Sequence, residues 1–398
     1  MSNKLNIRLV IIFLSIFLIT IGNGEYLSTI GISNFVQYLG YFILVSYIIT
    51  SFFRSNFVDK AKQFFQFIIV AFLFNIGIFL QPDLETSTKV RLIFTMLVIA
   101  SVALLSENFF RSFYDIRIAG YAILIGIIFS LCLSVVFHVS LLTLAVEGIG
   151  SSFGFNGGLQ HKNYFAADIL ASYIGIYFYR YETKVVPKTD KFVLFLEFIL
   201  LILSNSRGGY ILFAIFWIIV KFKTINVIKR NQRWIMLAVS SIVFILIILL
   251  VFTKFVLESG SYEIRLQGLN NYLNMYSQNK FYLWFGNSEM AFRNTGQSYE
   301  ENVRSIVGWN GTTELSILSI LIKNGVWGLI GYIYIFVIRL KGLLSLKKSN
   351  YKLAMFSIFI VLIASAFLEN YIVNIQIIFG MFCYMCIASI YKMGKSKI

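Results

Sequence analysis

The chain reads as an all-α polytopic bundle, an integral membrane protein of about twelve transmembrane helices. Three observations predict this. Of its 398 residues 58% are hydrophobic and only 13% are charged, roughly half the charged share of a soluble domain. The mean hydropathy is +0.79. The apolar runs, such as 10–19 and 242–251, are nearly continuous, whereas the strands of outer-membrane barrels alternate polar and apolar residues. Disordered chains, disulfide scaffolds and ordinary soluble enzymes are excluded by the same composition.

A bilayer core takes about 20 apolar residues per helix. Spans are expected at roughly 6–22, 30–53, 64–81, 92–107, 118–138, 164–180, 192–205, 209–222, 234–253, 314–338, 353–369 and 371–391. The first has the basic start of a signal peptide, but no small-residue cleavage site precedes Glu25. It is therefore read as a retained helix. The seventh and eighth are joined by a hairpin of a few residues around Arg207. The twelfth carries Cys383 and Cys386 one turn apart. This is redox spacing, but on an apolar helix, without an activating neighbour, it is a packing feature.

The net charge is +16. With the N-terminus inside, 24 of the 34 basic residues fall on the inner side with five acids, and nine basic residues and eleven acids fall outside. Cytoplasmic loops collect Lys and Arg, so both termini are expected in the cytoplasm. The same sorting removes the argument for nucleic acid as a partner. Asp168, Glu197 and Lys323 lie well inside spans, where pairing within the bundle is at least as good a reading as function.

The chain is expected to form a single membrane domain over 1–398. Two outer loops are long, about 139–163 and 254–313. The second has the size of a lid or half-site over a membrane cavity. Within it Ile264, Leu266, Leu269, Tyr272, Leu273 and Tyr276 recur at helical spacing. This predicts a short amphipathic helix on the bilayer surface or over a cavity.

Four outer features carry candidate chemistry. A Gly-rich stretch, 150–163, ends in His161-Lys162-Asn163 at the start of a span. Its backbone N–H groups suit an anion, or it is an ordinary loop with an Asn cap. Ser206-Arg207-Gly208 forms the tight hairpin. Arginine at that depth faces a partner or a cavity, where its fork suits phosphate, or it snorkels to the head groups. The long loop carries Arg265, Arg293, Arg304 and the segment Trp284-Phe285-Gly286. Its aromatic and amide side chains match the faces and hydroxyls of sugars. Finally Glu314 opens a span that continues into Gly325-Val326-Trp327-Gly328. An acid there suits the helix dipole or serves as a general base.

In this order and on one side, these features resemble the O-antigen ligase and Wzy-type polysaccharide polymerase superfamily, membrane-embedded glycosyltransferases of the C type. The resemblance covers about residues 150–340. It rests on His161-Lys162-Asn163, on Ser206-Arg207-Gly208, on Arg265 with Trp284-Phe285-Gly286, and on Glu314 eleven positions before Gly325-Val326-Trp327-Gly328. Ligases of this superfamily usually place His where this chain has Glu314, so an acid there looks more like a polymerase. The resemblance implies a glycan on undecaprenyl pyrophosphate as donor and a sugar hydroxyl of the next lipid-linked unit as acceptor. Arg207 and Arg265 would hold the pyrophosphate. Glu314, or His161, would take the acceptor proton. Lys162, Asn163, Ser206, Trp284, Arg293 and Arg304 would bind substrate. It implies no metal and no other cofactor, membrane lipid around the chain, and room for a chain-length regulator protein as partner. The expected location is a bacterial cytoplasmic membrane. A ligase using the same donor and a transporter of lipid-linked sugars are the alternatives.

Overall fold

In the computed structural model of the chain, residues 7–54, 60–81, 84–147, 150–183, 186–221, 261–277, 280–287 and 315–396 are described, with backbone alone for 144–147, 150–152 and 261–265. The span expected at 234–253 lies outside the described residues, as do Arg293, Arg304, Glu314 and the side chain of Arg265.

The apolar runs fold as helices because in a bilayer each segment must satisfy its own backbone polar groups. In chain order these are α1 (Ile7–Gly22), α2 (Glu25–Thr29), α3 (Ser33–Phe53), α4 (Ala61–Leu80), α5 (Thr86–Leu105) and α6 (Phe113–Val136). Then come α7 (Lys162–Phe178), α8 (Lys188–Leu203), α9 (Arg207–Lys221), α10 (Ser261–Met275), α11 (Lys280–Phe285), α12 (Ser316–Ser345), α13 (Asn350–Leu368) and α14 (Ile378–Ser396). Among the described residues α3, α4, α5, α6, α12 and α13 are long and apolar enough to cross a bilayer. The chain is thus a helical membrane protein.

Two helices form the centre. α7 and α14 are buried on almost every face, as a helix without a polar stripe must be when it is not a peripheral span. Around them, α3, α4 and α8 expose Phe42, Phe65, Phe72, Phe192 and Phe195 outward. Small residues bring the central helices close. Gly120 on α6 packs on the Ser172 carbonyl of α7, and Gly175 on the Ile116 carbonyl, so a Cβ at either would stand 2.9 Å from the oxygen. Cys383 and Cys386 are fully buried in α14, which is the packing role expected of them.

Two features depart from the expected string of helices. The loop before α7 contains an antiparallel hairpin, β1 (Leu142–Glu147) and β2 (Gly150–Phe155), with Leu142 opposite Phe155. It ends in an Asn156-Gly157-Gly158 turn where both glycines have positive φ. The helix expected from about 371 starts at Ile378. Residues 369–377 are irregular and mostly buried. Irregular backbone at this depth persists only where protein groups satisfy it. Here Ser316 Oγ donates to the Glu369 carbonyl (2.6 Å), Tyr41 to that of Ile375 (2.5 Å) and Gln37 to that of Gln376 (2.8 Å).

The long-loop helix expected around Leu266–Tyr276 is α10. It does not lie free on a surface. Tyr272 and Tyr276 are buried against Leu315, Leu318, Leu321 and Ile322 of the α12 entry, and the Tyr272 hydroxyl donates to the Leu321 carbonyl at 3.1 Å.

Candidate functional site

The site is built where α7, α9 and α12 begin. His161 caps α7: its backbone is extended and its Nδ1 accepts the Asn163 amide at 3.1 Å. The next residue, Lys162, is buried beneath β2. A Cβ at Gly154 would stand 2.6 Å from Lys162 Cδ and 2.0 Å from the Ser204 carbonyl, so the strand lies flush on the lysine stem and on the α8–α9 turn. Asn205 in that turn adopts φ 49 and donates from Nδ2 to the Phe153 carbonyl at 2.8 Å.

Asn163 is the hub. Its Nδ2 donates to Glu369 Oε1 (3.3 Å), its Oδ1 accepts from Ser206 Oγ (3.0 Å), and its carbonyl accepts from the Tyr371 hydroxyl (2.9 Å). Ser206 in turn caps α9, with its Oγ accepting the Gly209 amide at 3.3 Å. That leaves Arg207 as the first residue of α9. It is exposed, with no hydrogen bond, ion pair or ring contact to the described residues. Beside it Gly208 admits Glu369, whose Oε1 would lie 3.3 Å from a Cβ there.

Glu369 was not singled out by the sequence reading, and it ties the site together. It is 4% exposed. Its carboxylate touches Asn163 of one motif and abuts Gly208 of another, while its carbonyl takes the hydroxyl of Ser316, two positions after Glu314. A signal existed: an acid ending an apolar run in Phe367-Leu368-Glu369-Asn370 is expensive in a membrane unless it serves a site.

The structure brings His161, Lys162, Asn163, Ser206 and Arg207 together. Trp284 belongs elsewhere. Its ring stands 5.7 Å from that of Trp327, about three turns along α12 from Ser316. There Gly325 breaks the helix with φ 64 and ψ −162. The backbone of Trp284-Phe285-Gly286 seats in the notch: a Cβ on Gly325 would meet the Trp284 carbonyl at 2.3 Å, and one on Gly77 the Phe285 carbonyl at 2.1 Å. The carbonyls freed by the break are reused, with the Asn287 amide donating to Ile322 (2.9 Å). Gln81 donates to the Phe285 carbonyl (2.9 Å). The motif glycines therefore anchor the 280–287 segment to a broken membrane helix. Nearby, burial pushes the Tyr276 hydroxyl above its ordinary range, against the opposing pull of its hydrogen bond from Asn287 (2.7 Å).

The Gly-rich stretch is likewise a joint. Gly158 takes a hydrogen bond on its carbonyl from the Glu25 amide, and its own amide donates to Asn156 Oδ1. Burial pushes the Glu25 carboxyl upward in the same turn.

Of the charges inside spans, Glu197 accepts from Ser172 Oγ at 2.5 Å, and Lys323 stands within electrostatic reach of Arg91. Among the described residues no group of three or more His, Cys, Asp or Glu is gathered that could hold a metal ion.

Chemically the arrangement suits an anion. The N-termini of α7 and α9, each the positive end of a dipole, are joined through Asn163 and Ser206 next to the exposed Arg207, with the buried Glu369 carboxylate beside Gly208. No protein-family model matches the chain, and no curated protein matches it.

Proposed function

We propose that the chain is a polymerase of surface polysaccharide, joining undecaprenyl-pyrophosphate-linked repeat units on the outer face of a bacterial cytoplasmic membrane. In this reading it has twelve spans with both termini cytoplasmic, and the end holding Glu369 faces out. The observation that carries the proposal is the meeting of His161-Lys162-Asn163 with Ser206-Arg207-Gly208 on Glu369, which leaves Arg207 exposed at the start of α9.

Arg207 and the α9 N-terminus bind the donor's pyrophosphate, with Arg265 as a second clamp, and take up the charge that develops as it leaves. The acceptor hydroxyl oxygen attacks the anomeric carbon, the bond from that carbon to the pyrophosphate oxygen breaks, and a base takes the hydroxyl proton. Between the two candidate bases we take Glu314, because the cap geometry of His161 gives that ring another use. Because His161 Nδ1 accepts the Asn163 amide, a neutral ring carries its proton on Nε2. His161 then donates, which suits a phosphate or sugar oxygen. Glu369, held by Asn163, positions the Arg207 turn. A ligase would share all of this and differ in acceptor. The transporter reading draws on Asp168, Glu197 and Lys323, but the hydrogen bond from Ser172 gives Glu197 a structural use.

The test supplies purified protein with an undecaprenyl-pyrophosphate-linked repeat unit, chelator and no nucleotide sugar. A product ladder at repeat-unit spacing, lost in Arg207→Ala, is the expected result. No ladder from verified substrate sinks the polymerase, and adding a candidate acceptor or assaying flipping then separates ligase from transporter.

A further inference from the structure

Beneath the Asn163 network lies a second cluster that the proposed reaction does not use. Buried polar atoms are normally hydrogen-bonded, and each exception needs an explanation such as a water or an ion. Five such atoms fall on three residues. Both carboxylate oxygens of Asp168, both amide atoms of Asn23 and the Ser130 hydroxyl are buried without a hydrogen-bond partner among the described residues. Asp168 is 0% exposed and Asn23 1%.

The turn that carries Asn23 connects them. Asp168 sits on α7, five residues past Asn163. Asn23 follows α1 and lies beside the Asp168 carboxylate, as do the backbone amides of Ile378 and Phe379 in the first turn of α14. None of these neighbours closes a bond of normal geometry on the carboxylate. Ser130 of α6 stands against the same turn, its Oγ 3.1 Å from where a Cβ on Gly24 would be. Tyr41, whose hydroxyl bonds the Ile375 carbonyl, is near enough for the Asp168 charge to act on it.

We infer that Asp168, Asn23 and Ser130 form a binding site for a sodium ion at the junction of α1, α6, α7 and α14. The donors are a carboxylate, an amide oxygen and a hydroxyl, all hard oxygens, which suit alkali and alkaline-earth ions. One carboxylate matches a single positive charge, whereas calcium sites usually gather several. An ionised carboxylate fully inside a bundle must be paired. With about four lone-pair sites the carboxylate can face the α14 amides and a cation together. The ion would tie the α14 entry to α7 directly under the site, whether or not the chain is a polymerase.

Thermal unfolding of the full chain in detergent, with NaCl exchanged for choline chloride at constant ionic strength, tests this without any substrate. The wild type should unfold at higher temperature in sodium. Asp168→Asn, which keeps the shape and removes the charge, should be indifferent to sodium. Ser130→Ala, which deletes one oxygen, should raise the half-saturating sodium concentration about tenfold and serves if Asp168→Asn does not fold. A wild type indifferent to sodium overturns the site and leaves Asp168 as a protonated or water-bridged cap. A sodium shift that survives unchanged in whichever of these variants folds overturns it too.

Discussion

At the scale of single residues, the relay Glu369–Asn163–Ser206 makes separable predictions. Glu369→Ala leaves the Asn163 amide buried without its acceptor, a loss of about 1–3 kcal/mol. Its thermal midpoint should fall together with polymer yield. Glu369→Gln keeps an acceptor oxygen in place, so stability should stay within about 1 kcal/mol of wild type while elongation falls if the charge matters. Equal elongation in Glu369→Gln and wild type would leave Glu369 a purely structural group. Arg207 is the opposite case. Being exposed and without a bond to the described residues, it should change stability by less than about 0.5 kcal/mol as Ala, yet remove elongation. Arg207→Lys keeps the charge and loses the fork, so it should retain only part of the rate. Arg207 was legible in the sequence because a charged group in an apolar hairpin stands out. Glu369 was harder to see because its partners are far away in the chain, on α7 and at the start of α12.

At the scale of elements, α12 shows why a helix read correctly from hydropathy can still be misread in its interior. Gly325 has a conformation that an L side chain resists, and the Trp284 carbonyl already occupies the Cβ position. Gly325→Ala should therefore destabilise the chain by more than about 3 kcal/mol. It should also release the segment that holds α11, visible as faster limited proteolysis within 254–313 at temperatures where the bundle is still folded. Unchanged proteolysis would mean that α10 alone holds the loop. The paired motifs Trp284-Phe285-Gly286 and Gly325–Gly328 were visible as spacings. Their meaning was not, since a contact between two backbones forty residues apart leaves no local pattern. The same holds for 369–377. The run is apolar enough to pass for helix, and its irregular course depends on donors from Gln37, Tyr41 and Ser316.

At the scale of the whole molecule, charge is divided between the two ends of the bundle. The ion pairs Arg8–Asp115 (2.9 Å), Arg117–Asp190 (2.7 Å) and Arg339–Glu107 (3.2 Å) all lie at the end away from Glu369. Asp190 is fully buried and also accepts from the Tyr121 hydroxyl (2.8 Å). Asp190→Ala strands Arg117 in the bundle and should lower stability by about 3–5 kcal/mol, read as a drop in the unfolding midpoint of the purified protein. Orientation has its own test. With Cys132 replaced by Ser, a cysteine at Ser28 should react with an impermeant thiol reagent in intact cells, and one at Lys347 only after permeabilisation. The reverse pattern would invert the proposed topology and remove the site from the outer face.

The sequence by itself determined that this is a helical membrane protein, where its long apolar helices run, and that polar residues cluster at His161–Asn163 and Ser206–Gly208. These follow from hydropathy, length and the desolvation cost of charge, which are local properties. Only the tertiary structure decided that Glu369 joins those two clusters, that Trp284 anchors a loop away from them, and that Asp168, Asn23 and Ser130 are buried with polar atoms that lack a partner among the described residues. Each of these depends on distant segments. It is set by how helices pack and by which buried polar atoms find a partner, and neither is written in any one stretch of chain.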